Sequence, residues 1–158
     1  MKRPWNRTNL NIYSLATYNK KEINMNICTY VSVVNMHPKL YMISIDYNTL
    51  TYQNLNKKST SFVLQCLSID NINIVAHLGK KSGKKFDKLK YLSKNNLLSN
   101  WKNYPVLKNT CFLIKLRNPK KVYEMQDHCI FVFQMKSFKN FDNKFLNFSD
   151  LINNKIIL

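Results

Sequence analysis

Apolar positions along the first half of the chain recur at strand spacing more than at helix spacing. Asn11-Ile12-Tyr13-Ser14-Leu15-Ala16-Thr17 and residues 25 to 34 are both rich in Ile, Val, Tyr and Thr, and the polar Tyr18-Asn19-Lys20-Lys21-Glu22 joins them. This predicts an antiparallel hairpin. In its second member Ile27, Thr29, Val31 and Val33 share one face, and Cys28, Tyr30, Ser32 and Val34 the other. Both faces are partly apolar, so that strand is expected to be central. A turn at Pro38 leads into a strand over residues 40 to 46, and another covers residues 61 to 67. Between them a short helix begins at or just before Thr51, a residue type that caps orphan amides.

Ser68 caps a second helix over Asp70 to Leu78, on which Ile74, Val75 and Leu78 form the apolar stripe. The chain then turns polar and loop-like. Thr110 to Leu116 and Cys129 to Met135 read as late strands separated by the turn-forming Asn118-Pro119-Lys120, and Phe138, Phe141, Phe145 and Phe148 give the tail an amphipathic pattern. Many strands and few short helices, with no internal repeat, predict a mainly β fold, a small closed or half-closed antiparallel barrel, since closure removes exposed edges.

At 158 residues the chain is expected to form a single domain, residues 1–158. No apolar run approaches the roughly 20 residues that cross a bilayer, and Met1-Lys2-Arg3-Pro4-Trp5-Asn6 lacks the apolar stretch of a secretory signal. A cytoplasmic protein without a membrane partner is expected. Cys28, Cys66, Cys111 and Cys129 each stand alone in an apolar run, which predicts buried thiols, and no metal is assigned. The net charge of +17 points toward nucleic acid, but arginine occurs only at Arg3, Arg7 and Arg117. Lysines are scattered through a chain with excess Asn and Ile and little Gly, as coding pressure on composition produces. The charge attracts anions without naming a specific nucleic-acid partner.

Three places suit a ligand. The start at Thr49-Leu50-Thr51 offers helix amides to an anion, or is an ordinary cap. Both glycines lie in Leu78-Gly79-Lys80-Lys81-Ser82-Gly83-Lys84, where positive φ or close backbone approach is expected. That basic loop either closes over a phosphate or is a solvated turn after a helix C-cap. His128 follows Asp127 just before a strand; strand neighbours face opposite ways, so their pairing is not implied. No Ser/His/Asp order, paired carboxylates, P-loop or dinucleotide glycine fingerprint is present.

Taken in order, Asn24 to Ser32, Ser44 to Leu55, Phe62 to Ser68, Leu78 to Gly83 with Asp87-Lys88, and Asp127-His128 resemble the flavin reductase-like family, with its FMN-binding split barrel. The resemblance runs over about nine tenths of the chain. It implies that Asn24, Asn26, Cys28, Thr29 and Tyr30 face the flavin and its phosphate tail, that Asp46 and Thr51 belong to the phosphate-side turn, and that Lys81 lies near the isoalloxazine. A cation there stabilises the reduced, anionic ring. His128 matches a histidine near the flavin and nicotinamide site and is the one catalytic candidate.

There are three departures from the pattern. Gln126 replaces a glycine before Asp-His, Leu50 replaces a basic residue before the threonine, and Ile27 with Cys28 is more apolar than usual. The resemblance implies an FMN-binding homodimer that passes hydride from NAD(P)H to flavin, with flavin and nicotinamide nucleotides as its partners. Two alternatives are an FMN electron carrier without reductase turnover and a basic nucleic-acid-binding barrel whose aromatic residues stack on bases.

Overall fold

The computed structural model describes residues 3–20 and 22–157, so Lys21 of the first connector and the chain's first two residues lie outside it. Strands β1 (Tyr13–Tyr18) and β2 (Ile23–Met25) form the expected hairpin, with Ala16 opposite Met25 and Tyr18 opposite Ile23. Strands β3 (Val31–Asn35) and β4 (Leu40–Asp46) pair around the turn at Pro38, and β5 (Ser61–Cys66) returns beside β1. With β8 (Phe112–Glu124) and β9 (His128–Asn140) they make one antiparallel sheet ordered β2-β1-β5-β8-β9-β4-β3.

The expected single central strand over residues 25 to 34 is instead broken, and its halves lie at opposite ends of the sheet. Residues 26 to 30 carry the chain from one edge to the other. On the way, Tyr13 and Cys28 exchange two backbone bonds (3.0 and 2.8 Å), and the Ser44 amide donates to the Tyr30 carbonyl at 3.1 Å. One segment thereby joins both edges and closes the sheet into a split barrel.

Alternation along the strands divides the core in two. Leu15, Ile43, Ile45, Phe62, Leu64, Cys129, Phe131 and Phe133 fill the barrel, while Ala16, Val63 and Leu113 face outward to a second cluster under the helices. Both layers need burial, which is why β1 and β5 are covered on both sides. Helix α2 (Ile72–Gly79) lays Ile74, Val75 and Leu78 on the outer cluster, and Ser68 caps the 3-10 turn that precedes it. All four cysteines are buried and free.

Two further expectations are corrected. The polar stretch after Leu78 contains helix α3 (Lys88–Lys94), capped by Asp87, and a separate hairpin of β6 (Leu98–Trp101) and β7 (Tyr104–Leu107). Their apolar residues are few, but Leu92, Trp101, Val106 and Leu107 are deeply buried. Asn118-Pro119-Lys120 is a register shift inside β8, where proline's missing amide is tolerated; the connection to β9 is Met125-Gln126-Asp127. Neither glycine has positive φ. In the tail, α4 (Phe148–Asn153) buries Phe148 and Leu151.

Candidate functional site

The first helix, α1 (Leu50–Leu55), is capped by Thr49 and not by Thr51. Thr49 Oγ1 accepts from the Tyr52 amide (3.1 Å) and donates to the Asp46 carbonyl (2.8 Å), while Asp46 Oδ1 accepts from the Asn48 amide (2.7 Å). Asp46 thus shapes the turn. The amides of Leu50 and Thr51 find no acceptor among the described residues, as expected in a first helical turn.

Thr51 is buried one turn in, and its hydroxyl accepts from Asn24 Nδ2 at 3.1 Å. Asn26 Oδ1 accepts from the Leu15 amide at 2.9 Å, and its Nδ2 has no partner among the described residues. These groups line a cleft of about 200 Å³, which the strap from Gly79 to Gly83 and Lys88 complete. On the other side of Gly83 a second cavity of about 450 Å³ shares Asn24, Leu50 and Lys88 with the first. Here the glycine requirement is close approach: a Cβ on Gly83 would stand 2.4 Å from Asn24 Oδ1.

The cleft is strongly cationic. Lys80 and Lys81 line it, and Lys84 and Lys85 line the neighbouring cavity. Lys81 Nζ rests 4.5 Å over the Phe86 ring. The nearby carboxylates are engaged elsewhere: Glu22 pairs with Lys57 at 3.0 Å, and Asp87 Oδ1 accepts from the Lys90 amide at 2.9 Å. Lys88 is only 5% exposed, and burial pulls its ammonium down to a pKa of about 8. Free amides, a free carboxamide N–H and uncompensated cations suit an anionic, phosphate-bearing ligand.

The remaining candidates lie apart from this cleft. Tyr30 is 52% exposed, with its ring 5.9 Å from that of His128, and Asp46 stands opposite His128 in the β4–β9 register. His128 Nδ1 bonds Asp127 Oδ1 at 2.9 Å, a pairing that strand alternation did not imply. It forms because Asp127 belongs to the turn, and the bond holds its carboxyl below the usual range. Gln126 adopts that turn without positive φ, so glycine is not required there.

Cys28 and Thr29 lie on the connecting segment between the two groups. The Cys28 amide and carbonyl both bond Tyr13, and burial pushes its thiol up to about 12, so it offers a ligand no polar group. Thr29 is half-buried and makes no hydrogen bond among the described residues. The resemblance includes Lys88 among its residues but assigns it no role; a further signal is that this lysine stands four positions before buried Leu92, on the apolar face of α3.

The architecture is that of an antiparallel split barrel with a donor-lined, cationic cleft between its first hairpin and the strap after α2. The chain belongs to the family described as "Flavin reductase like domain", whose sequence profile matches residues 6–151. No curated protein matches it in sequence. Among solved structures it is similar to the NADH:FAD oxidoreductase of Streptomyces globisporus (TM-score 0.78, 14% identity, 94% of this chain and 86% of that one). It is also similar to the styrene monooxygenase flavin reductase of Pseudomonas putida (0.75, 12%, 94% and 91%). A third likeness is to an FMN-binding protein from Thermus thermophilus (0.72, 17%, 89% and 75%). At these identities the likeness establishes the split-barrel fold.

Proposed function

We propose that this protein is a flavin-dependent oxidoreductase that holds FMN at the cleft and accepts hydride from NAD(P)H. The observation that carries this reading is the donor set of the cleft in a chain of this family: the Leu50 and Thr51 amides, Asn26 Nδ2 and the lysines around them. Bound flavin would supply a ring that accepts hydride and passes electrons on. The chain's own residues bind and orient it. The α1 amides and Asn26 receive the phosphate, and the Asn24–Thr51 bond keeps the floor in place. The basic residue expected before Thr51 is replaced by Leu50, which itself lines the cleft, and the charge is assigned to the strap.

Thr29 follows Asn26 on the connecting segment and precedes Tyr30, whose ring packs against His128, and we assign the ring end of the flavin and the nicotinamide to that side. Hydride transfer itself calls for orientation and a nearby cation more than for a side-chain acid. Lys81, which lines the cleft, is assigned to the phosphate end with the other strap lysines, and His128, oriented by Asp127, is assigned a hydrogen bond to nicotinamide or ring. The outer face, with Tyr30, Met42, Ile130, Val132 and Tyr123, is assigned to a second copy of the chain, making a cytoplasmic homodimer.

Absorbance tests the reading. Purified protein mixed with FMN and desalted is expected to stay yellow, and NADH or NADPH to bleach that colour without oxygen. Colour that resists both nicotinamides points to an electron carrier. A protein that refuses FMN yet binds single-stranded nucleic acid with a steep salt dependence overturns the proposal.

A further inference from the structure

Lys88 combines three properties. It is 5% exposed, it lines both the 200 Å³ cleft and the 450 Å³ cavity, and among the described residues no carboxylate bonds it. Its Nζ donates to the Leu78 carbonyl at 2.5 Å, one acceptor for a group with three donors. An ammonium buried on one neutral acceptor is unfavourable, and ordinary folding gives no reason to place it there. An anion arriving in either cavity would satisfy it.

The charged groups around it do not. Asp87 and Glu22 are occupied by the Lys90 amide and by Lys57, and Lys80, Lys81, Lys84 and Lys85, which line the two cavities, carry its own sign of charge. On α2, His77 is stacked on Tyr91, 4.4 Å between ring centres. We infer that Lys88 is the charged ligand of the flavin's phosphate, and that the phosphate draws a proton onto Lys88 whenever that amine is neutral. The inference rests on the reading of the cleft as a flavin site.

The sign follows from linkage. A bound phosphate favours the charged amine, so affinity is flat while free Lys88 is already protonated and falls by up to about tenfold per pH unit once it is not. With a free-state pKa of about 8, the fall begins near that pH. A phosphate monoester, with a second pKa of about 6, is already dianionic there and does not contribute. Riboflavin has no phosphate, so its affinity shows neither effect.

The test is fluorescence titration of the full chain with FMN and with riboflavin, between about pH 7 and pH 9.5. At pH 7 the wild type is expected to prefer FMN by about 10- to 100-fold, the range of a charge-assisted contact, and to lose most of that preference by pH 9.5. Lys88→Met is expected to bind riboflavin within about 2-fold of wild type, to prefer FMN about tenfold less than wild type does at pH 7, and to show no fall in that preference between about pH 7 and 9.5. Lys88→Arg keeps the preference and loses its pH dependence, because guanidinium does not titrate here.

An unchanged FMN-to-riboflavin ratio in Lys88→Met overturns the inference and leaves the flavin reading standing. Equal affinity of wild type for both flavins does the same. Binding of neither flavin overturns both. Should Lys88→Met fail to fold, wild type against Lys88→Arg decides, and the same pH dependence in the two proteins overturns the inference.

Discussion

Cys28 and Lys88 are both taken out of water, and they respond to pH in opposite directions. Burial raises the Cys28 thiol to about 12 and also raises Cys66, so the folded state keeps protons that the unfolded thiols release. Their contribution to stability is complete below the unfolded thiol pKa of about 8.5 and shrinks as pH rises above it. Lys88 has the reverse sign. Its folded pKa of about 8 lies below the ordinary lysine value of 10.5, so the burial penalty is full below pH 8 and lifts as pH rises toward 10.5. Urea denaturation of ligand-free wild type and Lys88→Met separates the two, since the thiols are common to both. The variant's stability relative to wild type is expected to drop by about 2 kcal/mol between pH 8 and 10.5, allowing for water that reaches the ammonium. A difference that stays constant with pH would refute the burial account of Lys88. The thiols give a second check: none of the four is expected to react with a disulfide reagent at pH 8 until the protein unfolds.

The strap after α2 shows what a short element can disclose in sequence and what it cannot. Two glycines in so Gly-poor a chain signalled a conformational demand, and the demand proves to be space, with no positive φ at either. The glycines therefore predict different outcomes. Gly83→Ala places a Cβ 2.4 Å from Asn24 Oδ1 and 3.1 Å from Leu50, so the strap lifts; stability is expected to fall by about 1–2 kcal/mol and FMN affinity with it. Gly79→Ala meets Ile27 at 3.4 Å and ends a helix, so it is expected to be neutral or stabilising by up to about 1 kcal/mol. Equal thermal melts and equal FMN titrations for the two variants would refute this. Strands with dense β-branched and aromatic runs, β4 and β5 above all, were legible almost to the residue. Helix α3 and the β6–β7 hairpin were not, because α3 buries one apolar side chain and the hairpin three, and their polar remainder reads as loop. Pro119 misled for a related reason: a proline at a bulge is indistinguishable by composition from one in a turn. The site was legible as a set of residues more than as a shape. Asn24, Asn26, Thr51 and Lys81 do share one cleft, but the segment that separates them from Tyr30 and His128 follows from barrel closure, a long-range event that local pattern does not report.

Barrel closure also determines what the molecule leaves uncovered. Across β8, β9, β4 and β3 the inner positions, Cys129, Phe131, Ile43 and Ile45, fill the core, which forces the alternate residues outward. Two of the resulting rows are Tyr123–Ile130–Ser44 and Lys120–Val132–Met42–Ser32. Tyr30, whose carbonyl takes the Ser44 amide, extends the first row, and it and Tyr123 are 52% and 63% exposed. This face, on which Tyr30, Tyr123, Ile130, Val132 and Met42 stand among Ser44, Ser32 and Lys120, ends at the Tyr30–His128 pair and is the surface assigned to the proposed second copy. Charge at its centre tests the assignment. Ile130→Asp puts a carboxylate on the outer face without touching the barrel core, whose β9 contributors are Cys129, Phe131 and Phe133. Light scattering is expected to give a dimeric mass for wild type and a monomeric mass for the variant, with far-ultraviolet circular dichroism unchanged. If the ring end of the flavin is completed by the partner's surface, the monomer should still bind inorganic phosphate in the cleft but hold FMN at least about tenfold more weakly. A wild type that is monomeric at millimolar concentration, or a monomeric variant that holds FMN as tightly as before, would place the whole flavin site within one chain.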